Sequence, residues 1–170
     1  MIRLVYPAPE YGAQIMTYKE AFLAAGDSMD GTGGLDSAES FEVWFADWNK
    51  KLCEETVPAG LVPATTYLAV DECDTLVGMI DIRHRLNDWL LQFGGHIGYS
   101  VAPAHRRKGY AKEMLRLALD QCRELGIEQA LVTCYDDYIA SAKTIEHNGG
   151  ILENKVLEGE KVIRRYWITL

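Results

Sequence analysis

Residues 97–135 constrain the fold more than any other part of the chain. "IGYSVAP" reads as a strand, "AHRRKG" as a basic turn, "YAKEMLRLALDQCRELG" as a helix and "QALVTCY" as a second strand. Two strands of one sheet joined through a helix run parallel, with a right-handed crossover. The helix is expected from about Gly109 to Leu125. Ala111, Met114, Leu115, Ala118, Cys122 and Leu125 form its buried stripe, and Gly126 stands where a C-terminal cap belongs. "QALVTCY" alternates little between polar and apolar, as a central strand covered on both faces would.

The flanking segments supply the rest of a sheet. "IRLVYP" reads as a short first strand, and "PEYGAQIMTYKEAFLAAG" as a helix ended by Gly26. After the turn-rich "DSMDGTGGLD", Asp36 and Glu39 have capping-box spacing. The helix they would open carries Phe41, Val43, Trp44, Phe45, Trp48 and Leu52, an aromatic set suited to core or lid packing. "TTYLAVDE" and "TLVGMIDIRH" form an antiparallel hairpin, and "LNDWLLQFGG" is a lid or a short extra turn. Gly98 inside a strand points to a bulge or a close backbone approach. "YIASAKTIEHNGG" is a helix stopped by Asn148, Gly149 and Gly150, and the chain closes as two strands around "EGE". No repeat, low-complexity tract or linker divides the sequence, so a single domain over residues 1–170 is expected. Its class is mixed α/β (α+β), with a mostly antiparallel sheet of six or seven strands and helices on both sides.

Charge excludes some partners. The chain has 17 Lys+Arg against 25 Asp+Glu, a formal net charge of -8, whereas generic nucleic-acid binding needs a broad basic face. No apolar run is long enough to cross a bilayer, and "MIRLVYPAPE" lacks the features of a signal peptide, so a cytoplasmic protein with no membrane partner is expected. Cys53, Cys73, Cys122 and Cys134 are scattered, as reduced thiols would be. His84, His105 and His147 share no metal-ligand spacing with one another or with the cysteines, and no metal is expected.

Against this acidic background Arg106, Arg107 and Lys108 stand just before the glycine that opens a helix. The first amides of a helix lack internal partners and carry partial positive charge, so anions bind there. Gly109 leaves those amides open to a phosphate, and Ala111 keeps the next turn clear. A solvated basic turn is the alternative. Neither the Walker spacing nor a dinucleotide-binding glycine pattern is present.

The segment "HIGYSVAPAHRRKGYAKEMLRLAL" resembles the cofactor-binding motif of the GNAT superfamily of acetyl-CoA-dependent N-acetyltransferases, and with "ASAKTIE" and "NGG" it is similar to a bacterial branch of predicted acetyltransferases. Arg106, Gly109 and Ala111 fill the three fixed places of that motif. The resemblance implies that Arg106, Arg107, Lys108 and the amides through Gly109, Tyr110 and Ala111 cradle the pyrophosphate of coenzyme A. It implies further that Tyr99, Ser100 and Val101 run beside the pantetheine arm, that this strand and "ALVTCY" splay apart, and that Ser141 completes the cofactor set. The activity implied is direct transfer of an acetyl group from acetyl-CoA to a primary amine of a small molecule or peptide. No nucleophile elbow is present to favour an acyl-enzyme.

Two family positions hold other residues here. The tyrosine that commonly protonates the departing thiolate is replaced by Ile145, which leaves Tyr135, Tyr138 or solvent water for that role; each tyrosine can equally be a packed ring. A catalytically inactive acyl-CoA-binding module is the alternative function that Ile145 suggests. The glutamate that often acts as base is replaced by His96, either a neutral base or a polar residue at a strand edge. Cys134 ends the central strand near where the cofactor thiol would lie, and also reads as a buried strand cysteine. The acceptor is expected near the first two helices and "HRLNDWLLQFGG". There Asp27, Asp30, Asp36 and Asp88 attract a cationic amine or are merely solvated, and Trp89 and Phe93 wall the pocket or serve a homodimer contact.

Overall fold

Alternation along the strands decides which helices cover which side of the sheet. The computed structural model describes residues 1–170, with strands β1 (Arg3–Val5), β2 (Ala64–Val70), β3 (Leu76–Arg83), β4 (Ile97–Val101), β5 (Gln129–Tyr135), β6 (Ile151–Glu158) and β7 (Lys161–Thr169). Four helices accompany them: α1 (Gly12–Ala25), α2 (Phe41–Lys50), α3 (Tyr110–Glu124) and α4 (Ile139–His147). Tyr67, Ala69, Ile80 and Ile82 project to one side, against Met114, Leu115, Ala118 and Cys122 of α3 and Ala142 and Ile145 of α4. Leu68, Val70 and Met79 project to the other, against Ile15, Tyr18 and Phe22 of α1 and Trp44 and Trp48 of α2. Each such large side chain, once fully buried, contributes about 1.5–3 kcal/mol of transfer free energy. No helix is long and apolar enough to cross a membrane.

The seven strands form one sheet in the order β1-β2-β3-β4-β5-β7-β6, with every neighbouring pair antiparallel except β4 and β5. Those two are parallel, as the α3 crossover requires, and they meet at one register pair, Ile97 opposite Val132. Beyond Ile97 they diverge and leave a fork. His96 closes its base: its N–H donates to the Leu131 carbonyl at 2.7 Å, and its ring Nδ1 accepts from the Leu131 N–H at 2.9 Å.

Several local expectations need correction. Ser40, not Asp36, caps α2: its backbone is extended and its Oγ accepts from the Val43 N–H at 3.2 Å, whereas Asp36 lies within a separate 3-10 turn, Leu35–Ser37. Leu52 lies past the end of α2, and Val43 faces solvent. In α3 the buried stripe is Met114, Leu115, Ala118, Leu119 and Cys122; Ala111 is only half-buried at the first turn, and Leu125 is exposed beyond the last. The "LNDWLLQFGG" segment is a π-helical turn, Leu90–Gly94, pinned from several strands. Thr133 Oγ1 donates to the Phe93 carbonyl at 2.7 Å, Arg165 Nη2 to that of Leu91 at 2.7 Å, and Arg83 Nη1 to that of Gly94 at 3.3 Å.

Candidate active site

Leaving β4, the chain makes a 3-10 turn at Pro103–His105 and enters the basic loop. Arg107 and Gly109 both adopt left-handed backbone, φ 62° and 82°. For arginine this is an uncommon conformation, held here between two ordered elements. Gly109 is the N-cap of α3, and no side chain bonds the first amides of the helix. A Cβ at Gly109 would meet nothing within 4 Å, so the space before those amides is open. The loop therefore fits a phosphate: exposed amides at a helix start, with Arg107 and Lys108 exposed and in no ion pair. Arg106 is engaged differently. Its Nε donates to the Val101 carbonyl at 3.2 Å, its Nη1 to Asp27 at 2.7 Å, and its guanidinium lies 5.5 Å from the centroid of the Phe22 ring.

From this loop a groove of about 570 Å³ runs along Ser100 and Val101 on one wall and Ile139, Ala140 and Thr144 on the other. A second, smaller cavity of about 180 Å³ opens at the fork, walled by Trp89, Phe93, Cys134, Tyr135 and Glu158. Four residues line both spaces: Asp30, Tyr99, Tyr138 and Ser141. The groove reaches Arg106 and Ala111 at the basic loop, and the cavity meets it where two parallel strands part. A match to the acetyltransferase (GNAT) family spans residues 33–149. The chain belongs to that family.

Solved structures agree on the fold. A ribosomal L7/L12 α-N-protein acetyltransferase in complex with coenzyme A superposes with a TM-score of 0.74 at 15% identity, covering 99% of this chain and 94% of that one. A dodecameric spermidine N-acetyltransferase from Vibrio cholerae superposes with a TM-score of 0.67 at 15% identity, covering 99% of this chain and 92% of that one. A search of curated proteins finds no match.

In this acetyltransferase the residues expected around the cofactor come together. Tyr99, Ser100, Val101, Arg106, Ala111 and Ser141 line the groove, with Arg107, Lys108, Gly109 and Tyr110 in the loop and first helical turn at its end. Tyr99 is held by Ser141, hydroxyl to Oγ at 2.8 Å, and burial pushes its phenol well above the ordinary tyrosine value. Tyr138 is 44% exposed at the junction, with Tyr135 set edge-on to it at 5.4 Å between ring centroids. Ile145 is fully buried in the core, so no donor reaches the groove from that position.

His96 does not join them. It is buried and lines neither space, and its Nδ1 lone pair is taken by the Leu131 N–H, which leaves the ring proton on Nε2. Burial, reinforced by the Arg83 charge, pushes its pKa down to about 4. The residue before β4 is used to join two strands, and its imidazole has no free base to offer a substrate. Cys134 does reach the cavity, but burial pushes its thiol up to about 11, so it stays protonated at neutral pH.

The acidic residues separate by position. Asp27 lines the groove and is paired with Arg106; Asp36 and Asp88 line neither space. Asp30 stands at the junction because Gly31, Gly33 and Gly34 all take left-handed backbone and let the loop lie flat on the sheet. A Cβ on Gly31 would fall 2.2 Å from the Gly98 carbonyl oxygen, which is the close approach that Gly98 permits. Asp30 keeps contact with solvent, yet partial burial of its carboxyl raises it above the ordinary aspartate value, while Arg83 and Lys161 pull the other way. The "DGTGG" run was the one sequence signal that singled Asp30 out from the other acidic residues.

Proposed function

We propose that this acetyltransferase moves an acetyl group from acetyl-CoA directly onto a primary amine of a small molecule or peptide, as a single domain over residues 1–170 working in the cytoplasm. The observation that carries this reading is the junction itself: Tyr99, Tyr138, Ser141 and Asp30 line both the groove and the cavity, so a group held in one reaches a nucleophile held in the other. Acetyl-CoA supplies the thioester. Arg107, Lys108 and the amides of Gly109, Tyr110 and Ala111 hold its diphosphate, and Arg106 fastens the loop that presents them. The backbone of Tyr99, Ser100 and Val101, unpaired with β5, faces the pantetheine and offers an amide to the thioester carbonyl.

Tyr138 supplies the proton that the departing sulfur needs, and Tyr135 braces its ring. With Cys134 protonated, Ser141 Oγ bonded to the Tyr99 hydroxyl and Thr133 Oγ1 donating to the Phe93 carbonyl, the cavity wall holds no activated nucleophile, which favours direct transfer over an acyl-enzyme. Trp89 and Phe93, 6.1 Å apart, wall the acceptor side; Trp89 remains 52% exposed and is available to a second copy in a homodimer. An amine acceptor also accords with the similar structures, which are named for spermidine and for a ribosomal protein's α-amino group. A thiol-release screen with acetyl-CoA over amines, amino acids, polyamines and peptides tests the reading. Acetyl-CoA binding without release on any of them would favour an inactive acyl-CoA-binding module.

A further inference from the structure

The amine arrives as an ammonium, and a group other than His96 must receive its proton. We propose that Asp30 anchors the acceptor's ammonium and takes that proton, an assignment that rests on the acetyl-transfer reading above. Of the four residues shared by groove and cavity, Asp30 alone carries a carboxylate; Glu158 lines the cavity only. The loop that carries it is fastened at several points. Gly31 sits against Gly98, a Cβ on Gly33 would fall 2.6 Å from Thr66 Oγ1, and buried Trp44 donates from Nε1 to the Thr32 carbonyl at 2.8 Å.

No ion pair neutralises Asp30, because the nearby cations are committed elsewhere. Arg83 Nε is 3.0 Å from Asp81, Arg106 pairs with Asp27, and Lys161 lies 4.6 Å over the Tyr135 ring centroid. An anion whose one hydrogen-bond partner is the Ser28 hydroxyl at 3.4 Å, with no cation paired to it, beside Trp89, Phe93 and two tyrosines is a site for an ammonium.

The step balances. The Asp30 carboxylate takes one ammonium proton and frees the nitrogen lone pair, which bonds to the thioester carbonyl carbon. The C–S bond breaks with its electrons on sulfur, and the Tyr138 phenol protonates that sulfur. The second nitrogen proton restores the phenol, and Asp30 returns its proton to solvent. Asp30 works only when ionised, so the rate falls as pH drops through a carboxyl value above the ordinary one. Burial raises that value, Ser28, Arg83 on β3 and Lys161 on β7 lower it, and Asp36 raises it; Tyr18 on α1, Tyr99 on β4, Tyr138 before α4 and Glu158 on β6 are the other titratable groups around the carboxyl.

The test measures thiol release against pH for the wild type, Asp30→Asn, Asp30→Glu and Asp30→Ala with an amine that is turned over, and acetyl-CoA affinity by calorimetry. Asp88→Asn, outside both spaces, serves as the control. Asp30→Asn should lose roughly 100- to 10,000-fold in kcat/KM for the amine, the range for a positioned base, with acetyl-CoA affinity unchanged and the acidic limb gone. Asp30→Glu should recover part of the rate, and formate should restore turnover to Asp30→Ala. Asp30→Asn at full kcat with the same acidic limb would overturn this assignment and leave acetyl transfer standing. A wild type that releases no thiol with any amine would overturn both.

Discussion

Arg106 and Asp27, 79 residues apart, join the basic loop to the segment just after α1 through a 2.7 Å ion pair. The same guanidinium holds the last carbonyl of β4. Arg106 is therefore a fastener more than a phosphate ligand, and its loss should act through the shape of the loop. Both side chains are about 40% exposed, so a double-mutant cycle of Arg106→Ala and Asp27→Ala should show a coupling of about 0.5–1 kcal/mol in acetyl-CoA affinity. Arg107→Ala and Lys108→Ala should each cost about 1–3 kcal/mol, with no coupling to Asp27. Calorimetry with acetyl-CoA measures all of these.

Gly109→Val should abolish acetyl-CoA binding in a folded protein. Valine at φ 82° is strained, and its side chain would enter the open space before the α3 amides. Circular dichroism should match the wild type while calorimetry shows no heat of binding. Unchanged affinity would remove the phosphate assignment from this loop.

Tyr138→Phe should lower kcat by roughly 100- to 10,000-fold with acetyl-CoA affinity unchanged, as expected on losing a positioned acid. Tyr135→Phe should have a smaller effect, since Tyr135 lines the cavity but not the groove. Steady-state thiol release with both variants decides which phenol delivers the proton.

His96 should govern stability in acid, not turnover. Its folded pKa of about 4 lies below the ordinary histidine value near 6.5, so its neutral form is the one the fold holds. Its contribution is fully present above pH ~6.5 and is lost as pH falls towards about 4, amounting to about 3 kcal/mol once both states are protonated. Urea unfolding of wild type and His96→Ala at several pH values measures it. The variant should lose about 1–3 kcal/mol near neutrality, where the Leu131 N–H is left without a partner, and show a flatter acid limb.

How far the site was legible depended on whether its signals were local. The crossover from Ile97 through α3 to Tyr135 and the glycine at the start of α3 are written in consecutive residues, and the structure has them as read. The cap of α2 is also local, but Asp36 and Ser40 compete for it on similar terms, and the 3-10 turn at Leu35–Ser37 decides between them. His96 and Asp30 were not decidable in this way. The bond that occupies His96 comes from Leu131, 35 residues on, and Asp30 reaches the junction through the contact of Gly31 with Gly98. Spacing along a chain carries no record of such meetings, so a strand-edge histidine and a fork-closing histidine look alike.

The single bridge between Ile97 and Val132 also divides the sheet into two plates, β1-β2-β3-β4 and β5-β7-β6. Each plate is drawn from one unbroken stretch of sequence, and the polypeptide crosses the seam only once, through α3. Each plate can thus pair its own strands, long-range pairs such as Arg3 with Val70 and Gln129 with Thr169 included, without waiting for the other. During synthesis the first plate and α3 are complete when Glu124 has emerged, before any residue of β5 has left the ribosome. Closure of the seam, through the bonds between Leu131 and His96, needs both plates.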